Sequence, residues 1–198
     1  MVVPELGLAL LNIPKCGSSS LRQCLQFHAD RKKATPVEGQ YINHLTLSEL
    51  KETAQRDGFN IDDMRIIAVV RNPIDRLLSN LNFLFADRFS HNLDRCVSLA
   101  LSDDIGREYK TLTRMSSFLD AGMKGLELFP FEKITVAVRS FGYFGAVPCL
   151  NKSRKRFSVE QLKPYMNDIL SFYEDDIEIY NTVVADAKEC QNVLRQAS

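Results

Sequence analysis

The stretch that decides the fold is Leu10-Leu11-Asn12-Ile13-Pro14-Lys15-Cys16-Gly17-Ser18-Ser19-Ser20-Leu21, in which an apolar run meets a lysine, a glycine and three serines. Gly17 has no Cβ, so the backbone can turn tightly there and approach a ligand closely. The serines favour the start of a helix, where unpaired amides and the positive end of the helix dipole attract an anion. Lys15 adds a mobile charge that suits a phosphate. The stretch therefore predicts a strand, a phosphate-binding loop and a helix, although a strand-to-helix turn with a solvated lysine fits the same residues.

A second stretch of the same kind is Val69-Val70-Arg71-Asn72-Pro73-Ile74-Asp75-Arg76-Leu77-Leu78-Ser79. It completes an apolar run, residues 66–70, that is typical of a fully buried parallel strand. Arg71 follows at the carboxyl end of that strand, where open α/β sheets bind ligands, and its planar donors match phosphate oxygens. Ser79 lies about two helical turns further on and can face the same crevice. The two stretches predict a ligand with two separate phosphate groups; the alternative is that Arg71 and Arg76 are surface arginines that flank a helix cap.

Together these stretches resemble the sulfotransferase family that uses 3′-phosphoadenosine-5′-phosphosulfate (PAPS). Residues 13–21 are similar to the family's 5′-phosphosulfate loop, and residues 70–79 are similar to its 3′-phosphate motif. Residues 44–51 resemble a segment of the branch that acts on carbohydrates and small hydroxylated acceptors. Residues 150–153 and 173–180 resemble the N-[KR]-S loop and the terminal helix of that branch, so the resemblance spans nearly the whole chain.

The resemblance implies one sulfotransferase-like domain over residues 1–198, with a P-loop-like three-layer α/β/α fold and a central parallel sheet. It implies PAPS as co-substrate, adenosine-3′,5′-bisphosphate (PAP) as product, and no metal. The acceptor would be a hydroxyl of a carbohydrate or small molecule, and Lys15 would stabilise the charge on the leaving oxygen. The residues expected to bind the donor are Lys15, Cys16, Gly17, Ser18, Ser19, Ser20, Arg71, Ser79, Ser153 and Lys155.

Two departures from the family pattern concern these expectations. Cys16 stands where the family usually has threonine or serine, which removes one hydroxyl donor, while the side chains on either side remain. Residues 139–147 lack the acidic residue that often follows the arginine of the fourth strand, so the acceptor and adenine contacts of this region are open.

A general base is needed because the acceptor hydroxyl loses a proton as it attacks. Histidine suits this role, since its pKa lies near neutrality, and the chain has three histidines. We expect His28 and His91 to be surface or capping residues. His44 follows a predicted short strand and precedes a capped helix, at the edge where the ligand should lie, and the resemblance makes it the catalytic base. Glu38, just before the same strand, is the next candidate.

Two other functions compete with this interpretation. A P-loop kinase needs the pattern G-x-x-x-x-G-K-[ST], whereas here Lys15 precedes Gly17 and the first glycine is absent. The other alternative is a non-catalytic sulfotransferase-like protein that binds a nucleotide or a partner. The presence of Lys15, Arg71, Ser79 and His44 favours an enzyme.

Composition narrows the choice of partners and compartment. Lys and Arg total 25, Asp and Glu total 25, and the net charge is zero, so no global field favours nucleic acid or an anionic membrane. No stretch is long and apolar enough to cross a bilayer, and no secretory signal is visible. We expect a cytoplasmic protein, or one of the Golgi lumen if an N-terminal anchor has been removed.

The five cysteines match no zinc pattern. Cys16, beside Lys15 at a helix start, is expected to have a lowered thiol pKa.

Alternating strand and helix patterns predict a parallel sheet with right-handed crossovers. Strands are predicted at residues 6–13, 40–43, 66–70 and 133–138, and helices at 18–28, 47–55, 74–88, 92–101, 116–121 and 158–194, the last interrupted near Pro164.

Overall fold

A computed structural model of the chain describes residues 1–85, 92–102, 109–120, 122, 125–150 and 156–196. Within this part, the strands form one sheet in the order β1-β2-β3-β4. Only β1 is antiparallel to its neighbour, so the sheet is mostly parallel, as the sequence predicts. The strands are Val2–Val3 (β1), Leu8–Leu10 (β2), Arg65–Val70 (β3) and Leu126–Pro130 (β4).

The register of the parallel strands brings the two stretches that are predicted to bind anions to one edge of the sheet. Ala9 of β2 lies opposite Ile66 of β3, and the backbone amide of Leu11 still donates to the carbonyl of Ile67 at 3.0 Å. Parallel strands end at the same edge, so the loop after β2 and the residues after β3 are neighbours. Each stretch follows a strand, as predicted, and the structure shows that these two strands are neighbours.

The helices alternate with the strands, which makes this an α/β domain. Thr46 starts the second helix with a complete capping box, in which its side chain accepts from the amide of Glu49 and Glu49 accepts from the amide of Thr46. Asn72 caps the third helix, and Pro73 occupies its first position. The helices are Ser18–Lys32 (α1), Leu47–Arg56 (α2), Pro73–Leu84 (α3), Leu93–Ala100 (α4), Ile134–Ser140 (α5), Val159–Leu162 (α6), Met166–Phe172 (α7) and Glu174–Gln196 (α8).

Two predicted strands are wrong. Residues 40–43 lie in the 3₁₀ turn Gly39–Ile42, where local bonds such as the Tyr41 amide to the Glu38 carbonyl, 2.8 Å, replace a ladder. Residues 133–138 lie mainly in helix α5, although their β-branched composition favours a strand. The neighbouring strand is β4, whose apolar pattern is interrupted by a glutamate.

That glutamate explains why β4 escaped prediction. Glu127 points to the solvent side of the sheet edge, where its carboxylate accepts from Arg65 Nε at 2.6 Å and Nη2 at 2.8 Å. A cross-strand ion pair therefore supports the pairing of β3 and β4. Pro130 ends the strand, and the turn Phe131–Lys133 leads into α5.

The buried apolar residues form two clusters. The first surrounds the sheet and includes residues of β1, β2, β3, α1 and α2. The second joins α3 and α4 to the C-terminal helices, with Leu77 and Leu81 of α3 packed among Phe157, Leu162 and Tyr173. Helix α3 therefore links the sheet, through the residues that precede it, to the C-terminal part of the chain.

Arg76 of α3 is almost completely buried, with 1% of its surface exposed. Its Nε donates to the carbonyl of Pro14 at 3.0 Å, and its Nη2 donates to the carbonyls of Thr113 at 2.7 Å and Thr111 at 3.2 Å. Its Nη1 lies 3.9 Å from Oδ2 of Asp176, which is also buried. The alternative of a surface arginine at this position is wrong, and the side chain instead ties α3 to the loop after β2.

Asp176, in the first turn of α8, completes this buried network. Its carboxylate accepts from the backbone amides of Met115 at 2.7 Å and Ser116 at 2.8 Å. A buried carboxylate is tolerated only when charges and donors surround it, and here both do.

Replacing Asp176 should therefore destabilise the protein strongly. We expect Asp176→Ala to lower the free energy of unfolding by about 3–5 kcal/mol, because it leaves the Arg76 guanidinium buried without its counter-charge. Chemical denaturation followed by circular dichroism measures this loss. The matched control is Asp175→Ala, an exposed carboxylate one residue earlier in the same helix turn. Similar stabilities for the two variants would contradict the role given to Asp176.

Candidate active site

The loop between β2 and α1 has an unusual backbone. Lys15 and Gly17 have φ angles of 61° and 82°, in the left-handed region. A side chain on Gly17 would place its Cβ 2.8 Å from Cε2 of Phe131, so the loop requires glycine for both conformation and space. Lys15 holds a conformation that non-glycine residues seldom adopt, and such strain is concentrated at functional sites. Helix α1 begins at Ser18, as predicted, with Gly17 as its N-cap.

Lys15 and Arg71, the first cation of each stretch, are neighbours. Arg71 Nη1 donates to the carbonyl of Lys15 at 3.2 Å, and its guanidinium carbon lies 4.7 Å from the ring centre of Phe131. The Lys15 ammonium lies 3.9 Å from the ring centre of Phe83 on α3. The structure thus brings two cations together at the carboxyl edge of the sheet, each against an aromatic ring.

The two charges and partial burial affect the protonation of Lys15. Burial, followed by the charge of Arg71, lowers the pKa of Lys15 to about 8. The Lys15 side chain is therefore a cation at pH 7 and loses its charge as the pH rises through about 8. Because both effects penalise a bare ammonium, an anion placed beside Lys15 and Arg71 would be bound favourably.

Cys16 differs from its expectation. Its side chain is 1% exposed, and its Sγ lies 3.7 Å from Sδ of Met115. Burial raises the pKa of the thiol to about 11, even though Arg76 and Arg71 act in the opposite direction. The prediction of a lowered thiol pKa and raised reactivity is wrong because desolvation outweighs the nearby charges. Only the backbone of Cys16 is available to a ligand.

The serines of the first stretch are placed by α1, and Ser79 by α3. Ser18 and Ser19 are half-buried in the first turn of α1, whereas Ser20 is buried and its hydroxyl accepts from the amide of Leu150 at 3.4 Å. Ser79 is half-buried, and it shares a face of α3 with Phe83, four residues further on. Since Phe83 contacts Lys15, Ser79 lies on the face of α3 that is turned towards the loop.

His44 is attached directly to the loop after β2. Its Nδ1 lies 2.8 Å from the carbonyl oxygen of Asn12, so the hydrogen bond requires a proton on Nδ1 and leaves Nε2 as the acceptor of the neutral ring. Burial lowers the pKa of His44, and the charges of Arg76, Lys110 and Arg22 act in the same direction, whereas the hydrogen bond to Asn12 raises it by less. His44 is therefore neutral near pH 7, the state in which an imidazole accepts a proton.

The side chain of Asn12 fixes this arrangement from the other side. Its Nδ2 donates to the carbonyl of Tyr41 at 2.9 Å, which holds the turn before His44 against the loop. Glu38, the second candidate base, is exposed just before the turn Gly39–Ile42 and lies on no strand. His44 is thus the better-placed of the two groups.

A family model described as "Sulfotransferase family" matches residues 1–115, which include His44 and both stretches that are predicted to bind anions. The chain belongs to the sulfotransferase family. Neither the curated proteins nor the solved structures contain a match.

The family match ends at Met115, whose backbone amide donates to the Asp176 carboxylate of α8. The end of the matched region is therefore in contact with the C-terminal part of the chain. The predicted donor residues Ser153 and Lys155 lie outside the described residues. The residues on either side of that segment are anchored to the two helices of the site: Leu150 to Ser20 of α1, and residues 156 and 157 to Asn82 of α3.

The contacts of Asn82 are close. Its Oδ1 accepts from the amides of Arg156 at 2.7 Å and Phe157 at 2.8 Å, and its Nδ2 donates to the carbonyl of Phe157 at 3.2 Å. Sequence reasoning did not single out Asn82, nor Asn12, Phe83 and Phe131. The sequence offered two signals: Asn82 lies within an apolar face of its helix, and Phe83 lies on a polar face.

Of the other two histidines, only His28 lies among the described residues. His28 is buried, 8% exposed, and its ring lies 5.8 Å from that of Phe141, so the expectation of a surface or capping residue is wrong. His91 lies outside the described residues. Within the described ranges, no group of histidine, cysteine, aspartate and glutamate side chains could hold a metal ion. No helix of the same ranges has the length and apolar character needed to span a membrane.

A cavity of about 310 Å³ lies next to the start of α2, with Thr46 and Glu49 in its lining, and His44 is not among the lining residues. Lys110 lies at its border, where the ammonium donates to the His44 carbonyl at 3.4 Å and to the Glu49 carboxylate at 3.3 Å. The lining combines hydroxyl, charged and aromatic side chains: Thr46, Glu49, Ser102, Lys110, Leu112, Thr113, Arg114, Ser117, Phe118 and Phe172.

Proposed function

We propose that this protein is a PAPS-dependent sulfotransferase that transfers a sulfuryl group to a hydroxyl of a carbohydrate or small-molecule acceptor. The observation that carries the proposal is the contact between the two stretches, in which Arg71 Nη1 donates to the Lys15 carbonyl at 3.2 Å. Two separate anion-binding elements in contact suit a nucleotide with phosphates at two positions. Membership of the sulfotransferase family supports PAPS as that nucleotide.

The proposed donor site assigns one phosphate to each stretch. Lys15 and the backbone of residues 16–20 would bind the 5′-phosphosulfate at the start of α1. Arg71 and Ser79 would bind the 3′-phosphate, and Ser153 and Lys155 would cover the nucleotide. The family resemblance also supports a P-loop-like three-layer arrangement over residues 1–198 as the framework of this site.

The proposed reaction requires charge stabilisation and a base. The acceptor oxygen forms a bond to sulfur while the bond from sulfur to the bridging phosphate oxygen breaks, and that oxygen leaves on PAP with the negative charge. The Lys15 ammonium and the helix-start amides stabilise this charge. The proton of the acceptor hydroxyl passes to Nε2 of His44. No metal is assigned a role.

We place the acceptor in the cavity lined by Thr46 and Lys110, whose ammonium donates to the His44 carbonyl. The ring of Phe172 offers a flat apolar face, and the hydroxyls of Ser102 and Ser117 offer hydrogen bonds, a combination that suits a sugar ring. The P-loop kinase alternative loses support, because the family match is to sulfotransferases. A non-catalytic nucleotide-binding protein remains the second candidate, since the same loop would bind the product without turnover.

The first test concerns the two phosphates. We expect PAP to raise the melting temperature much more than AMP, because AMP leaves Arg71 and Ser79 without a ligand. Thermal denaturation with each nucleotide at equal concentration measures this difference. In Arg71→Gln the advantage of PAP over AMP should disappear. Equal stabilisation of the unaltered protein by PAP and AMP would show that the second stretch binds no phosphate.

The second test concerns the base. His44→Asn keeps a side-chain donor for the Asn12 carbonyl and loses Nε2, so turnover with labelled PAPS should fall by at least about a hundredfold. The unaltered enzyme should lose activity as the pH falls through the pKa of His44, which burial places below the usual value of about 6.5. The variant should lack this acidic limb.

Two controls make the His44 test informative. PAP affinity should be unchanged in His44→Asn, since a change would mean that the loop had moved. Glu38→Gln, which alters the exposed second candidate, should keep normal turnover. Full activity of His44→Asn combined with a large loss in Glu38→Gln would transfer the role to Glu38, and full activity of both would rule out both groups.

A further inference from the structure

Phe83 is an exposed phenylalanine on the face of α3 that is turned towards the loop. Its side chain is 56% exposed, so it contributes little to the core. Yet its ring centre lies 3.9 Å from the Lys15 ammonium, well within the range of a cation–π contact. An aromatic ring kept at the surface beside a loop cation requires an explanation other than packing.

The second ring of the site provides a useful contrast. Phe131, which faces Arg71, is half-buried and packs closely around Gly17. Its position is therefore set by the core, and the loss of its ring would disturb the loop itself. Phe83 has no such packing role, so its effect on Lys15 can be tested without unfolding the loop.

The ring of Phe83 favours the charged form of Lys15. Lys15 is partly buried beside Arg71, and both conditions disfavour its protonated form. A carboxylate beside Lys15 would favour its protonated form, but it would also neutralise the positive charge that attracts a phosphate. An aromatic face attracts the ammonium without neutralising it, and it occupies one side of the group while other N–H bonds remain directed outwards.

We propose that Phe83 is the positioning residue of Lys15, holding its ammonium against the loop so that the remaining N–H donors are directed at the phosphosulfate of the donor. This inference rests on the proposed function. It adds a requirement for an aromatic residue at position 83 that acts only through Lys15.

The first experiment is a double-mutant cycle with PAP as the probe, measured by isothermal titration calorimetry. Phe83→Leu should raise the dissociation constant of PAP on the order of fivefold, the effect expected for one cation–π contact. Phe83→Tyr, which keeps a ring, should bind as the unaltered protein does. In a Lys15→Met background, Phe83→Leu should cause no further loss, because its partner is already gone.

The second experiment uses the fact that the chain contains no tryptophan. Phe83→Trp introduces a single tryptophan beside the Lys15 ammonium, so the tryptophan emission should change as Lys15 titrates near pH 8, and this change should be absent in Lys15→Met, Phe83→Trp. The role of Phe83 is overturned if the tryptophan emission does not depend on Lys15. It is also overturned if Phe83→Leu binds PAP as tightly as the unaltered protein does. Absence of PAP binding by the unaltered protein would instead refute the proposed function, and with it this inference.

Discussion

The buried guanidinium of Arg76 is the group on which the rest of the structure depends. A buried charge is stable only when its donors are satisfied, and Arg76 meets this condition with groups that are far apart in the sequence. It binds the carbonyl of Pro14 before the loop, the carbonyls of residues 111 and 113, and the carboxylate of Asp176. One side chain thereby fixes the loop, the segment beside the cavity and the start of α8.

The cations around the loop have two kinds of partner, a buried carboxylate and aromatic rings. Asp176 offsets the charge of Arg76 in the interior, whereas Lys15 and Arg71 lie against the rings of Phe83 and Phe131. Rings leave the charge of a cation intact, so the local field at the sheet edge is positive although the net charge of the chain is zero. The proposed anionic ligand would be attracted by this local arrangement and not by the net charge of the protein.

The sequence was most informative where short-range chemistry decides the structure. Gly17, the Thr46 capping box and Pro73 after Asn72 act within one turn, and the structure has each element where it was predicted. It was least informative where distant residues decide. Residues 134–138, four of which are β-branched, form a helix against their local preference. Glu127 in β4 is stabilised by Arg65, which comes from another strand.

Two site residues show the same limit. Cys16 looked like an activated thiol because its sequence neighbours are a lysine and a helix start, but its contact with Met115 and its burial come from elsewhere in the chain. Arg76 belonged to the second stretch and its position was known, yet its burial depends on Asp176, a hundred residues later. Side-chain environment, rather than motif position, was the part that the sequence could not provide.

The central claim is that two elements of one site bind two phosphates of one nucleotide. Phosphorus NMR of PAP tests it most directly, because the 3′- and 5′-phosphates give separate resonances. The account predicts that both resonances shift on binding, that Arg71→Gln removes mainly the shift of the 3′-phosphate, and that Lys15→Met removes mainly that of the 5′-phosphate. A shift of only one resonance in the unaltered protein, or the same response in both variants, would contradict it.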